Sequence, residues 1–535
     1  MTRAGETVRA GAPLARGVAR TPSLKRPPMR GPLLVALALA LDPRSSAAAD
    51  PELPDAGGTF EYSSPAEKHY LRAALEQVGV LGVGLAHYFA NRDANSVDWD
   101  LDYDWQSFRK KLVGDAYAFD TNLFDTNFLT HPGSGTLYYL AARGNRLSVL
   151  ESLGYAFASS TVWELFGEFR EQVSVNDLVV TPLAGLTIGE ASTQLGAFFD
   201  RSCPTAANRV LGSALGPSKS LHDAIDGKEP RRESVCDRFG LSASGGHRFR
   251  FSAASAAVFS DAGPGASGET SLAVSAETRS LRSLGRPGRG WHSFSDGNVA
   301  SLSGTVGFER RNVSNVEIRA RSVPAGLHWR NLSALPGFGL RGSEVLLGVL
   351  FGSEYAQHRY ERPSGKIDRV FVIDAPATTA TLVVRRGSQR LEVGLDAGVA
   401  FGGIDSFALA EFRRTRSDPS LPTVTSVRGY SHAAGFSLSP SVRLSLDGAE
   451  LGFDGRADRL YGLRAGTLDR TSSVDPHDAV AEVRRRGRLW LSIGPPGALP
   501  RVTLFADGRQ RSGTVRDVER TRLELALGAS ADATF

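Results

Sequence analysis

The chain has 535 residues, 41% of them hydrophobic, with 58 Gly and 27 Pro but only 2 Cys and 2 Met. That apolar content suits a packed core and argues against disorder; no Gly-X-Y period exists, and two cysteines cannot make a disulfide scaffold. Residues 1–49 hold eight Lys/Arg against two acidic residues, which leaves the rest of the chain near −1 from a net +5, so the pI of 9.2 says nothing about nucleic acid.

In chain order, residues 31–41 form an apolar run too short to span a bilayer, with Arg-rich sequence before it and Ala47-Ala48-Ala49 after it. Basic, apolar and small segments in that order read as a secretory signal peptide over 1–49, with Met29 offering a leader of more ordinary length. A small apolar helical module is predicted over 50–240. Its first helix covers 65–90, and a polar Asp/Trp-rich connection follows. A second helix covers 147–170 and a third 178–198, which is apolar apart from Glu190. These helices are too apolar for solvated surfaces and must be buried against each other, a barrel or lipid. Gly185 and Gly189 form a small-xxx-small step that admits close approach of another element. Asn176-Asp177 is expected to cap the third helix. In an exported chain, Cys203 and Cys236, which share one polar segment, are expected to be oxidised to a disulfide.

Within the module, Asp120, Asn127, His131-Pro132, Gly135, Tyr138-Tyr139, Ala142-Arg143, Glu151-Ser152, Trp163-Glu164, Glu168, Ser174, Asn176-Asp177, Gly185 and Gly189-Glu190 make a spaced pattern. It resembles the bacterial domain-of-unknown-function family 3943 over about residues 110–200. Two departures stand out: Gly133-Ser134 where an aromatic is expected, and Val173 in place of a proline. The resemblance implies an envelope protein and supplies no activity.

His131, Glu164, Glu168, Asp177 and Glu190 are the candidate catalytic residues, since imidazole with carboxylates suits divalent cations and a raised carboxylate suits proton transfer. The plainer reading, which we favour, is a buried polar network that fixes helix register. There Arg143 neutralises a carboxylate, Trp163 packs, Asn176 caps, Gly185 and Gly189 allow contact, and no metal or cofactor is needed. No Walker-type loop, Gly-x-Ser-x-Gly elbow, His-Glu-x-x-His or Cys-based zinc spacing is present.

From about residue 246 the hydrophobic period becomes two. In 298–309, 391–401 and 434–446 apolar residues alternate with small or polar ones over ten positions or more, long enough for a tilted strand of ~9–11 residues to cross a bilayer. Trp291, Phe294, Trp329, Tyr355, Tyr360, Tyr430 and Trp490 fall near strand ends, where aromatic girdles would sit. Leu523, Leu525, Leu527, Ala529, Ala531, Ala533 and Phe535 share one face of the final strand, as in the assembly signal of outer-membrane barrels. The predicted fold is therefore α+β: the helical module, then an antiparallel transmembrane β-barrel of about twelve strands over 241–535. A pair of soluble β-sandwiches is the runner-up. The expected protein is a non-enzymatic envelope protein of the Gram-negative outer membrane, its helices plugging or bracing the barrel. Its expected partners are outer-membrane lipid and the barrel assembly machinery, with no nucleic acid. The alternative is an outer-membrane enzyme acting on lipid or lipopolysaccharide through His131 and the buried carboxylates. A passive porin is disfavoured if the apolar helices occupy the lumen.

Overall fold

The structure is a computed structural model that describes residues 59–91, 101–102, 104–120, 122–233, 235–242, 246–261, 265–281, 283–337, 339–359, 367–415, 429–463, 480–494, 500–516 and 518–535. The segment expected to be a signal peptide, and Tyr360, lie outside the described residues.

Eight helices are described. α1 (Tyr70–Asn91), α2 (Trp105–Val113), α3 (His131–Gly144), α4 (Val149–Val162), α5 (Val175–Arg201), α6 (Ala206–Leu215) and α7 (Pro217–Asp226) precede the barrel, and α8 (Phe407–Thr415) lies within one of its connections. Among the described residues no helix is long and apolar enough to cross a membrane. The helix predicted over 147–170 stops at Val162, where one π-helical turn (Trp163–Gly167) takes over. The cap of α5 is Ser174, whose hydroxyl accepts the Asp177 N–H, and not Asn176-Asp177 as expected. A two-residue parallel pairing of β1 (Tyr117–Ala118) with β2 (Val173–Ser174) leads into α5.

The barrel strands are β3 (Gly246–Ser260), β4 (Ala266–Arg279), β6 (Val299–Glu309), β7 (Asn312–Leu335), β8 (Gly339–Arg359), β9 (Ile367–Arg386), β10 (Gln389–Asp405), β11 (Ser431–Leu446), β12 (Ala449–Gly462), β13 (Val480–Ile493), β14 (Arg501–Val515) and β15 (Val518–Thr534). A short β5 (Gly288–Phe294) pairs with the far half of β7, beyond the reach of β6. Neighbouring strands are antiparallel. β15 pairs with β3 and β8 pairs back onto β7, so twelve strands close a ring. That closure excludes the sandwich pair.

Alternation sorts the two faces. On β15, Leu523, Leu525 and Leu527 are exposed, whereas Glu524, Ser530 and Asp532 are buried. The buried face meets charged residues from across the ring: Glu354 on β8 pairs with Arg319, Arg456 and Arg484, and Arg456 also reaches Asp374 and Asp458 at 2.8 Å. A second layer joins Arg279 to Glu277 and Glu392, and Arg248 to Glu450. Such charges persist away from bulk water only when paired, and arginine forks suit that task.

The module rests on the opposite face of the sheet. Glu317, Arg319 and Arg321 mark the lumen side of β7, while α5 packs on the alternate residues: Ile188 and Ala191 meet Ala300, Leu302 and Ala320. Near its start, Val180 and Ala184 contact Tyr355, Phe371 and Ile373; near its end, Phe198 and Phe199 contact Phe249. Thr187 Oγ1 donates to Ser353 Oγ at 2.8 Å. α5 finds its apolar partners on this wall, whereas Leu409 and Phe412 of α8 pack on Val480 and Val515 at one mouth of the lumen. Each large side chain buried there contributes about 1.5–3 kcal/mol.

The aromatic girdle needs correction. Trp291 is exposed and tilts against Trp329, but Phe294, Tyr355, Tyr430 and Trp490 are buried. Tyr355 and Tyr430 sit under the helices, and Trp490 lines the lumen beside Arg248, Arg250 and Asp532. Phe535 exchanges backbone hydrogen bonds with Phe249, and its ring meets Phe239 and Phe251.

Cys203 and Cys236 are joined by a disulfide, their Cα atoms 6.2 Å apart and 33 positions apart in sequence. The Cys203→Ser/Cys236→Ser variant is expected to keep the heat-modifiable gel mobility of a closed barrel, because the strand ladders close without this loop. It should lose about 3–4 kcal/mol of loop-closure stabilisation, read as faster proteolysis within 201–240.

Candidate functional site

The five candidates fall into two groups. Glu190 stands alone on α5, fully buried, and Arg143 of α3 grips it with a fork: Nε to Oε2 at 2.8 Å and Nη2 to Oε1 at 3.0 Å. Tyr139 and Gln194 also donate to it, at 2.6 and 2.7 Å. Arg143 Nη2 reaches on to Asp296 Oδ1 at 2.6 Å, in the link between β5 and β6, so one guanidinium ties α3, α5 and the barrel together. Gly297 beside it has a φ of +67°, and a Cβ there would stand 2.0 Å from Glu190 Oε1. The spacing of the glycines explains how α3 approaches α5. A Cβ at Gly135 would lie 1.7 Å from the Thr181 carbonyl oxygen, one at Gly185 would strike the Gly135 carbonyl, and one at Gly189 would strike the Tyr139 ring.

The other four gather where α5 begins. The β1–β2 pairing sets Ala118 opposite Ser174, so Asp120 and Asp177 each follow their strand toward the same point. The Asp120 N–H donates to Asn176 Oδ1 at 2.9 Å, and Asn176 Nδ2 donates to Asp177 Oδ1 at 2.9 Å. A π-helical turn over Thr126–Thr130 delivers His131 to the mouth of α3, with Nε2 3.5 Å from Asp177 Oδ2. The second π-helical turn carries Glu164, whose Oε2 accepts the Ser174 N–H at 2.7 Å. Such turns insert an extra residue and re-aim side chains, and they recur at functional sites. Trp163 Nε1 donates to Glu168 Oε1 at 2.9 Å, and its ring packs edge-on against Tyr88.

Arg143 is distant from Glu164 and Glu168 in bonding terms. The cation beside those two is Lys111 of α2, fully buried, whose ammonium donates to the carbonyls of Glu164 and Glu168 at 2.6 and 2.7 Å. Sequence reasoning missed Lys111 and Asp296, because neither sits in a pattern and both act across long sequence separations. Asp120 belonged to the spaced pattern and was not singled out.

This group lies outside the barrel strands. Burial, then the charges of neighbouring carboxylates, pushes Glu164 and Asp177 well above the usual carboxylate range. Burial, then Glu171, pushes Glu168 up to about 8. Chemically, the arrangement offers an imidazole and facing carboxylates that favour uptake of a proton or a cation.

Residues 116–218 match a domain of unknown function (DUF3943), so the resemblance drawn from the spaced residues holds, and the domain is fused here to a closed twelve-stranded barrel. No curated protein matches the chain. Among solved structures, a porin is similar at 9% identity over 54% of this chain and 100% of its own, with a TM-score of 0.19. Pseudomonas aeruginosa OccK11 (OpdR) gives 10%, 55%, 98% and 0.15 on the same measures, and Vibrio cholerae OmpT (trimer form) gives 10%, 54%, 100% and 0.12. Scores this low carry no argument; the barrel rests on its own strand pairing.

Arg143→Ala is expected to cost about 3–5 kcal/mol by stranding the buried Glu190 carboxylate. The Arg143→Ala/Glu190→Ala variant should recover part of that loss, measured by urea unfolding of the helices while heat-modifiability reports the barrel. Equal losses in both would show that the charge pair is not the cause.

Because folding raises Glu164, Glu168 and Asp177 above their unfolded values, the stability they contribute is full at acid pH. It falls as pH rises from the ordinary 4.5 through about 8. The urea midpoint of the helices should therefore be lower at about pH 8.5 than at about pH 6, and Glu168→Gln should flatten the difference.

Proposed function

We propose that the protein is a non-enzymatic component of the bacterial outer membrane, a barrel sealed by its own charges and braced on its outer wall by the helical module. The observation that carries this reading is the lumen network around Glu354, where three arginines from β7, β12 and β13 converge on one carboxylate. Ion pairs that cross the lumen in this way support a sealed barrel, and a cavity of about 240 Å³ is lined by Arg248, Arg443 and Asp532. Strands of 11 to 24 residues meet or exceed the ~9–11 that a bilayer needs. Leucines and phenylalanines such as Phe251, Leu272, Phe436 and Leu489 are exposed on the wall that the helices leave bare, as lipid contact requires. Two of the three longest links between the barrel strands, 406–430 and 463–479, start at the end opposite Phe535, the arrangement expected with that end facing the cell exterior, while 280–298 starts at the Phe535 end. Export through the leader and insertion by the barrel assembly machinery complete this reading. The face of β7 that α5 contacts supports bracing by the N-terminal helices in place of plugging.

The second reading, an enzyme acting on lipid or lipopolysaccharide, is favoured by one observation: His131 Nε2 and Asp177 Oδ2 are buried without hydrogen-bond partners. Protein reconstituted into liposomes is expected to pass no small solute above the empty-vesicle rate; stepwise conductance in a planar bilayer would refute the sealed barrel. In cells, His131→Ala should leave both assembly and membrane integrity unchanged. Normal assembly with loss of integrity would favour the enzyme.

A further inference from the structure

Donor atoms from three separate chain segments converge beside the N-terminus of α5. One carboxylate oxygen each of Asp120 and Asp177 and one ring nitrogen of His131 lie within 4.8 Å of one another. Two buried atoms here make no hydrogen bond: Asp177 Oδ2, on a side chain 1% exposed, and His131 Nε2, 3.5 Å away. Asn127 Oδ1, on the amide that donates to Asp120, also lacks a partner. A buried carboxylate oxygen that no donor reaches, facing a second carboxylate, asks for positive charge.

The remaining contacts are those of oriented ligands. Asp177 Oδ1 accepts from Asn176 Nδ2 at 2.9 Å, and Asp120 accepts from Asn122 Nδ2 at 2.7 Å and Asn127 Nδ2 at 3.3 Å. Amides that fix ligating carboxylates in this way are the usual support of a metal site. We infer that Asp120, His131 and Asp177 form a binding site for a first-row divalent transition-metal ion, with Zn²⁺ the species this donor set suits best. One imidazole with two carboxylates separates it from the all-oxygen sites of Mg²⁺ and Ca²⁺, and the absence of thiolate from these three donors separates it from soft-metal sites. A metal at about 2.0–2.2 Å from each donor places the donors about 3–4 Å apart, so a separation at the 4.8 Å limit closes by about 1–2 Å when the ion binds. His131 is 12% exposed, so the cluster lies near the surface of the module. The inference rests on this geometry and on neither functional reading.

The test uses the full, tag-free chain refolded in detergent. After dialysis against Zn²⁺, one zinc per chain is expected, and Co²⁺ in its place should give visible d–d bands. His131→Ala and Asp177→Asn should each weaken binding by about tenfold or more while heat-modifiable mobility stays unchanged. Wild-type protein that remains metal-free with native mobility would reduce the cluster to a His131–Asp177 ion pair and overturn the proposal, as would zinc retained undiminished in both variants. If the variants fail to assemble, X-ray absorption of zinc-loaded wild type decides. One imidazole with oxygen donors supports the site; several imidazoles, or oxygens alone, overturn it.

Discussion

An unpaired sheet edge presents a row of unsatisfied backbone N–H and C=O groups, and the rest of this structure is arranged around the closure that removes it. β15 returns to β3 and β8 returns to β7, so each strand finds a neighbour on both sides. The ring then has an inside and an outside of opposite chemistry, fixed by the two-residue alternation of strand side chains. The inside holds the paired Arg, Asp and Glu together with one apolar cluster that includes Val372 and Ile404; the outside collects Leu, Val and Phe.

That partition decides where the helices go. α5 is apolar over most of its 27 residues, and its first, middle and last turns all meet outward-facing side chains of the strands. The lumen is already occupied by ion pairs, and an apolar helix there would strand charges at a cost of several kcal/mol. Against the outer wall it strands nothing. The price is borne by the few polar groups it buries, and these are matched individually: Thr187 with Ser353, Glu190 with Arg143, and Gln194 with the Asp296 carbonyl. Many apolar side chains on the outer helices, including Leu71, Leu75 and Val78 on α1 and Leu150 on α4, are exposed, so the module presents to its surroundings the same chemistry as the bare barrel wall.

The acidic group at the start of α5 is built by devices that a linear pattern does not display. Two π-helical turns re-aim His131 and Glu164, and a two-residue parallel pairing brings Asp120 beside Asp177 from 57 positions away. Each device is small. Together they hold carboxylates close enough to raise one another, with Lys111 spent on backbone carbonyls and Arg143 committed elsewhere.

The sequence by itself determined what is local or periodic. Alternation in 391–401 and 434–446 marked strands and their lipid face, because strand side chains point to opposite sides whatever the strand pairs with. The run 178–198 marked a buried helix, because its composition leaves no solvated face, and the spaced residues from Asp120 to Glu190 marked the domain. Only the tertiary structure decided which surfaces meet. Arg143 pairs with Glu190 and Asp296 and not with Glu164 or Glu168, and Tyr355, Tyr430 and Trp490 are buried where strand-end position suggested an exposed girdle. Pairing partners and burial depend on residues hundreds of positions apart, and a one-dimensional pattern fixes a side chain's chemistry without fixing its neighbour.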